Sequence, residues 1–261
     1  MDIKPDLIFT HLSFHTHIHP VPYVLQLFKE IKSKIDVKIV HSCNDARTHD
    51  RFMGDLRGSF DMALLGTIPL NNNCATSFKI PCFYMPYSSL TYDKMADPVP
   101  ELAFNVPVFT GSPNAHRTGW ADNRAEFIER LQKIMPLKIF KTQSGEDLRK
   151  RTPELSVSAK CILGLCVGYE IDGYIDVRPF QYLGTGAFMI MRKFMNMDRV
   201  IPDDLYVPFY DYNDPEAVRN LWNYWKDKDN SKRKIKAFNY IQQNHSSKIR
   251  LAHVLKLLNQ I

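Results

Sequence analysis

Three histidines spaced two residues apart, His15, His17 and His19, form the most conspicuous group of potentially reactive side chains. In an extended segment such side chains point to the same side, so the three imidazoles could line one edge of a site. One interpretation is the metal centre of a metal-dependent hydrolase, in which His-x-His follows the first strand. The other is a polar loop at the carboxyl edge of a parallel sheet that contributes one base or acceptor contact. Because the later histidines are scattered, and only His41 stands at a predicted strand end, we predict no metal site.

Asp45 is the first carboxylate after the second predicted strand. A carboxylate at the carboxyl end of a strand is well placed to act as a general base. It is equally well placed to cap a helix that begins at Ala46. Both roles stay open.

Arg178 lies in a polar stretch rich in glycine and tyrosine, residues 168–190. The pattern predicts a short helix that starts at Pro179 and stops at Gly184, with Arg178 at its N-terminus. Free backbone N–H groups and a guanidinium that can hold two oxygen atoms would together bind an anion such as phosphate. Gly184 and Gly186 would then let the chain turn sharply into a buried strand. The alternative is an ordinary connection between a helix and a strand.

Short apolar runs alternate with helical patterns through most of the chain, which predicts an α/β protein with parallel sheets. Residues 24–35 have the spacing of a helix that crosses over between the first two strands. Pro98 and Pro100 interrupt the pattern, and a second series of strands and helices begins at Val106. We therefore predict a short N-terminal α/β unit, a second α/β unit and a helical tail, over residues 1–100, 101–230 and 231–261.

The last part of the chain is predicted to be helical. Asp214, Pro215 and Glu216 are typical of a helix start, because Asp caps the first N–H groups, Pro fits the first turn and Glu suits the positive end of the helix dipole. Two more helices are predicted at roughly 231–243 and 247–259. The side chains expected to face inward from the last helix are Leu251, Val254, Leu255 and Leu258.

The positive charge of the chain is concentrated at its C-terminal end. The 261 residues carry a formal net charge of +6, whereas residues 226–261 alone hold nine Lys and Arg against two Asp. Nucleic-acid binding requires basic residues interleaved with aromatic residues over a broad face, so we predict no nucleic-acid partner. A basic pair of C-terminal helices is a solvated face, or it lies near an anionic substrate or a lipid surface, which makes peripheral membrane contact an open alternative.

Several classes of protein are disfavoured by what the sequence lacks. It has neither the Gly-x-Gly-x-x-Gly pattern after the first strand nor a P-loop, so classical dinucleotide and P-loop sites are not expected. The longest apolar stretch, residues 161–169, is far shorter than a membrane span, and no secretory signal is visible. The five cysteines contain no C-x-x-C pair, which predicts reduced thiols and a cytoplasmic location.

Four segments carry a resemblance to a known family. Residues 178–190 (RPFQYLGTGAFMI) resemble the pattern R-x-F-E-x-L-(A/G)-C-G-(A/T)-F-L-L of the nucleotide-sugar domain of group-1-type glycosyltransferases, in particular their spore-maturation-protein-like branch. The similarity continues in register at 206–218 (YVPFYDYNDPEAV) and at 245–251 (HSSKIRL), where the family has a late H-T-Y-x-x-R-(V/L) motif. Upstream, residues 108–112 (VFTGS) resemble the F-V-G-S entry to this domain. The resemblance covers about residues 106–258.

This resemblance implies a GT-B architecture: two Rossmann-like units that face each other across a cleft, with the nucleotide-diphosphate sugar held by the second unit and the acceptor mostly by the first. Gly111 and Ser112 would lie against the donor nucleotide, and Arg124 would lie near its phosphates. Tyr174 and Arg178 would face the diphosphate. No cofactor is expected besides the co-substrate, because such enzymes typically act without a bound metal.

Two departures from the family pattern affect the expected site. Gln181 replaces a Glu that contacts the donor, and an amide offers hydrogen bonds without charge. The first unit is also short, since family members usually carry an extra strand and helix before Leu7. If the reaction inverts the sugar, a base must deprotonate the acceptor hydroxyl, and Asp45 and His17 are the candidates. The alternatives are the metal-dependent hydrolase and a non-catalytic sugar-nucleotide-binding protein.

Overall fold

The computed structural model describes residues 5–10, 21–43, 55–67, 76–111, 124–140, 151–166 and 171–261. The chain forms two compact units. Unit 1 consists of Met1–Tyr87, Glu170–Tyr174 and Ala252–Ile261, and unit 2 consists of Ser88–Tyr169 and Ile175–Leu251. The boundaries expected at residues 100 and 230 stay predictions of the sequence.

Unit 1 is built on a parallel sheet of four strands in the order β1-β2-β3-β4. Helix α1 (Val21–Lys34) lies between the first two strands in sequence and packs on one face. Alternation along β2 sends Ile39 to this face and Val40 to the opposite one, where the end of the C-terminal helix covers it. The strands are β1 (Leu7–Thr10), β2 (Lys38–Cys43), β3 (Met62–Leu65) and β4 (Cys82–Tyr84).

Unit 2 is built on a parallel sheet of five strands in the order β6-β5-β7-β8-β9. The strands are β5 (Val108–Thr110), β6 (Lys138–Phe140), β7 (Ile162–Gly164), β8 (Met189–Arg192) and β9 (Val207–Phe209). The helices of the second half are α2 (Arg124–Ile134), α3 (Thr152–Ser158), α4 (Val177–Leu183), α5 (Pro215–Trp225), α6 (Ser231–His245) and α7 (Ser247–Leu258). Such an order, with helices on both faces, is that of a doubly wound α/β fold.

Helices α2 and α5 cover one face of the second sheet, as their apolar periodicity predicts. Phe127, Ile128 and Leu131 of α2 are buried in one core cluster with Val218 and Trp222 of α5. The start of α5 is also as predicted, because the Asp214 carboxylate accepts a hydrogen bond from the Ala217 amide at 2.9 Å. Helix α4 packs against α3 and α6.

The predicted inward face of the last helix is wrong in part. Val254 is buried and Leu258 is partly buried, as expected, but Leu251 is 50% exposed and Leu255 is 47% exposed. Leu257 is buried instead. Helix periodicity alone places several leucines on neighbouring faces, and only the position of the sheet decides which face is covered.

His41 also differs from the expectation. It lies inside β2, which continues to Cys43, and it is fully buried beside the Phe60 ring, with 5.3 Å between the ring centroids. In the described part of the chain no helix is both long and apolar enough to cross a membrane.

Candidate functional site

The candidate site lies where the strand order of unit 2 reverses. From β5 the chain passes to β6 on one side of β5, and then to β7 on the other side. In open parallel sheets the connections diverge at such a switch point, and ligands bind outside the carboxyl ends of the two strands. Here β5 ends at Thr110 and is followed by Gly111, and β7 is followed by Leu165 and Cys166.

Gly111 allows a guanidinium to approach the backbone at this point. Its φ of 138° is a conformation that residues with side chains rarely adopt. A side chain here would place its Cβ 3.1 Å from Nη2 of Arg178 and 3.3 Å from the ring of Phe109. The positive φ therefore favours glycine here, and a Cβ would also press on the guanidinium and the ring.

Arg178 is held by the residue that caps its own helix. Asp176 is the N-cap of α4, and its carboxylate accepts from the Arg178 amide at 3.3 Å and from Nη1 at 3.0 Å. The Arg178 side chain is 27% exposed and that of Asp176 is 13% exposed. Burial alone would lower the pKa of Arg178, but the Asp176 carboxylate together with Cys166 and Tyr182 more than offsets it, so the pKa lies above its usual range and the guanidinium stays charged.

The carboxyl end of β7 is held by two side chains, those of Tyr212 and Arg124. Burial raises the pKa of the Cys166 thiol well above its usual range, so that it is neutral. The Tyr212 hydroxyl donates to the Cys166 carbonyl oxygen at 2.7 Å. Arg124 Nη1 donates to the Leu165 carbonyl oxygen at 3.1 Å.

Arg124 therefore holds the carboxyl end of β7 from a buried position. It is the first residue of α2 and is only 2% exposed. Its positive charge lies close enough to Cys166 to oppose the rise in the pKa of that thiol.

Helix α4 is tied to β5 by a second residue. The hydroxyls of Tyr182 and Thr110 share a hydrogen bond. Burial raises the pKa of Tyr182, so its phenol stays protonated. Gln181 is exposed on α4, one turn after Arg178, so its amide is accessible from solvent.

The other predicted site residues are Tyr174 and a group that the structure does not describe. Tyr174 is 6% exposed and belongs to unit 1. His15, His17, His19, Asp45 and Ser112 lie outside the described residues. The described ranges hold no group of three or more His, Cys, Asp or Glu side chains that could bind a metal.

Sequence reasoning missed Asp176, Tyr182 and Thr110. Two of them had a readable signal: Asp176 precedes Arg178 by two residues at a helix start, and Tyr182 follows it by four residues on the same helix. Thr110 had none, because only the fold brings it to Tyr182.

The arrangement is chemically suited to an anion with several oxygen atoms. Two arginines and one aspartate leave a net positive charge at the switch point, and the Arg178 guanidinium lies against a backbone without a side chain. Arginine offers several donors in a fixed plane, which suits phosphate oxygens.

No protein-family model matches the chain, and no curated protein sequence matches it. Several solved structures match the chain. A chain of the GtfA/B complex is 13% identical with a TM-score of 0.53, and the match covers 99% of this chain and 58% of that one. Sucrose-phosphate synthase from Thermosynechococcus elongatus is 11% identical with a TM-score of 0.56, over 98% of this chain and 73% of that one.

An α1,3-fucosyltransferase is similar at 14% identity with a TM-score of 0.50, over 97% of this chain and 78% of that one. These solved structures are GT-B glycosyltransferases. The matches run through both units, and this chain therefore has the GT-B fold, as the resemblance of its motifs implies. It spans 58% of the length of the GtfA/B chain.

Proposed function

We propose that this protein is a glycosyltransferase that moves a sugar from a nucleoside diphosphate sugar to an acceptor hydroxyl. The observation that carries the proposal is the charged Arg178 guanidinium against the Gly111 backbone, at the switch point of the unit 2 sheet. The GT-B fold and the resemblance of residues 178–190 to a nucleotide-sugar domain support it.

The reaction would use Arg178 as the group that stabilises the leaving diphosphate. As the bond between the sugar C1 and the phosphate oxygen breaks, negative charge grows on the diphosphate and the sugar becomes oxocarbenium-like. A fixed cation in a partly buried site stabilises that charge more strongly than it stabilises the bound donor, which lowers the barrier. We propose that the transfer needs no metal, because the guanidinium supplies the positive charge.

Gln181 and Arg124 would have supporting roles. The exposed Gln181 amide, one turn from Arg178, would hydrogen-bond the donor ribose without adding charge. The buried positive charge of Arg124 would also favour the diphosphate, while its Nη1 holds the end of β7. Gly111 and Ser112 would lie against the nucleotide, and Tyr174 would face the diphosphate as the resemblance implies.

The acceptor would be a hydroxyl of a glycan, a protein or a lipid. If the reaction inverts the sugar, Asp45 or His17 would remove the acceptor proton. The transferred sugar would be a hexose or a pentose, and a cytoplasmic location stays a prediction.

The central test is a donor screen followed by one variant. We expect one of UDP-, GDP- or TDP-sugars to raise the melting temperature, and a CMP-sugar, which has a single phosphate, to have no effect. Arg178→Ala should then weaken binding of the matching nucleoside diphosphate by about 1.5–3 kcal/mol, which is roughly 10- to 150-fold in Kd. Unchanged affinity removes Arg178 from the site.

A matched control and two alternative outcomes complete the test. Arg199→Ala removes an exposed arginine of the same unit and should leave the Kd unchanged. Nucleotide binding without transfer or donor hydrolysis would identify a non-catalytic sugar-nucleotide-binding protein. Stoichiometric bound zinc or iron, with activity lost to a chelator, would point instead to a metal-dependent hydrolase that uses His15, His17 and His19.

We also propose that α7 contacts an anionic membrane surface. Leu251 and Leu255 are exposed between Lys248 and Lys256, and residues 246–261 contain no Asp or Glu. Apolar side chains and lysines together favour binding to anionic lipid.

Vesicle sedimentation tests this contact. The protein should sediment with vesicles that contain phosphatidylserine but not with vesicles of pure phosphatidylcholine. The double substitution Leu251→Ser with Leu255→Ser should abolish the sedimentation. Leu90→Ser, at another exposed leucine, is the control.

A further inference from the structure

Asp176 contacts both the backbone and the side chain of Arg178. One carboxylate oxygen accepts from the Arg178 amide at 3.3 Å, and the other accepts from Nη1 at 3.0 Å. The carboxylate is therefore anchored at the start of α4 while it holds one terminal nitrogen of the guanidinium.

This leaves the other terminal nitrogen directed at the backbone of β5. A guanidinium is planar, so fixing Nη1 also fixes the direction of Nη2. Nη2 is the atom that a Cβ at Gly111 would meet at 3.1 Å. Arg178 thus loses much of its rotamer freedom before any ligand binds.

We propose that Asp176 is the positioning residue of the donor site: its carboxylate orients the Arg178 guanidinium so that Nη2 faces the diphosphate at Gly111. This inference rests on the proposed function. It deepens that proposal, because it says what keeps the cation in place and why the affinity for a diphosphate is not a matter of net charge alone. A preoriented group stabilises the diphosphate without being ordered at the moment of binding.

The inference predicts a change in diphosphate affinity that is opposite to the one expected from net charge alone. A carboxylate close to the site repels a diphosphate, so if charge alone mattered, its removal would tighten binding. If Asp176 acts through Arg178, its removal weakens binding. The two accounts therefore predict opposite changes for the same substitution.

The test is a double-mutant cycle with Asp176→Asn and Arg178→Ala. Asn keeps the size and the capping ability of Asp and loses the charge. With the nucleoside diphosphate from UDP, GDP and TDP that binds the unmodified chain, Asp176→Asn should raise the Kd roughly tenfold. In the Arg178→Ala background the same substitution should leave the Kd unchanged or lower it.

Two further variants separate positioning from stability. Asp214→Asn changes the N-cap of α5 in the same unit and should leave the Kd unchanged. Asp176→Glu retains the charge and should bind more tightly than Asp176→Asn. An equal or lower Kd for Asp176→Asn alone, or an equal increase in both backgrounds, would overturn the inference.

A measurement without donor distinguishes failure of this inference from failure of the proposed function. Rotation of the Arg178 guanidinium, followed by NMR of its side-chain nitrogens in the ligand-free protein, should be slow in the unmodified chain and fast in Asp176→Asn. Fast rotation in both would refute the positioning role whatever the protein binds. Slow rotation together with no binding of any nucleoside diphosphate would refute the proposed function, and with it the role of Asp176 toward a donor.

Discussion

Protonation of His245 gives a quantitative test of how α6 and α7 are joined. The imidazole is 7% exposed, with Nε2 2.9 Å from the Val200 carbonyl oxygen and Nδ1 in contact with the Arg250 guanidinium. Arginine can only donate, so Nδ1 accepts and the proton is on Nε2. The structure therefore requires a neutral imidazole.

The size of the effect follows from the pKa of His245. Burial, and then the charge of Arg250, lower it from the ordinary value of 6.5 to about 4. The unfolded chain thus binds this proton more readily than the folded chain does. The stabilisation is fully present above about pH 6.5 and is lost as the pH falls toward 4. It amounts to roughly 3 kcal/mol in all, of which about 2 kcal/mol is lost between pH 7 and pH 5.

Urea unfolding at pH 7, 6 and 5 measures this loss. The carboxylates of Asp61 and Asp203 have pKa values below their ordinary 3.8, so they stay ionised throughout this range. His245→Gln removes the titrating group, and the free energy of unfolding should then fall by about 2 kcal/mol less between pH 7 and pH 5 than in the unmodified chain. His253→Gln, at an exposed histidine of α7, should behave like the unmodified chain.

The test compares how steeply the free energy of unfolding falls with pH in the unmodified chain and in the two variants. His41 is buried as well, but it is present in all three proteins and cancels in the difference. An equal dependence on pH in His245→Gln and the unmodified chain would refute a neutral, depressed His245.

Four other substitutions or deletions test the fold and the site. Gly111→Ala should weaken nucleoside diphosphate binding severalfold by calorimetry, because its Cβ displaces the guanidinium from a backbone at φ 138°. Gln181→Glu should retain activity in a transfer assay and tighten donor binding, because Glu is the residue of the family pattern; loss of activity would contradict the alignment. Gly164→Ala should destabilise the fold by about 1–3 kcal/mol in urea unfolding, because its Cβ overlaps Met191 in the core. Truncation after Trp225 should give an aggregated or unfolded chain by circular dichroism, since it removes the buried Phe238 and Ile241 of α6 from unit 2 and the buried Val254 of α7 from unit 1.

The segment 88–92 illustrates what local patterns do not reveal. Ser89 forms backbone hydrogen bonds with His245 and Ser247, at 3.0 and 2.8 Å. The Gln242 amide donates to the carbonyl oxygens of Gly184 and Leu90, at 2.7 and 3.1 Å. The contacts of Ser89 and Leu90 join residues more than 150 positions apart, and the contact of Gly184 with Gln242 spans 58 positions. No periodicity in these segments indicates them.

Gly184 and Gly186 show that a correct expectation can have two physical reasons. Gly186 has a φ of 89°, so the sharp turn needs glycine for its backbone conformation. Gly184 has an ordinary helical φ of −70°. There a side chain would overlap Ser89, so this glycine is required by packing.

The order of residues along this chain determined its local elements. Apolar spacing predicted α2 and α5 with their buried faces, the Asp214 cap followed from residue type, and short apolar runs predicted the strands of both sheets. These features depend on neighbours within one or two turns, so nearby residues are enough to encode them.

Tertiary structure alone decided which distant residues meet. It reversed the strand order at β5 and brought Arg178 to Gly111, 67 positions away in the sequence. It also buried Arg124 against the Leu165 carbonyl oxygen. On α7 it left Leu251 and Leu255 exposed. Each of these outcomes depends on which segments pack against each other in the folded chain. Burial and hydrogen bonding between remote segments leave no periodic pattern in the sequence, so local patterns cannot predict them.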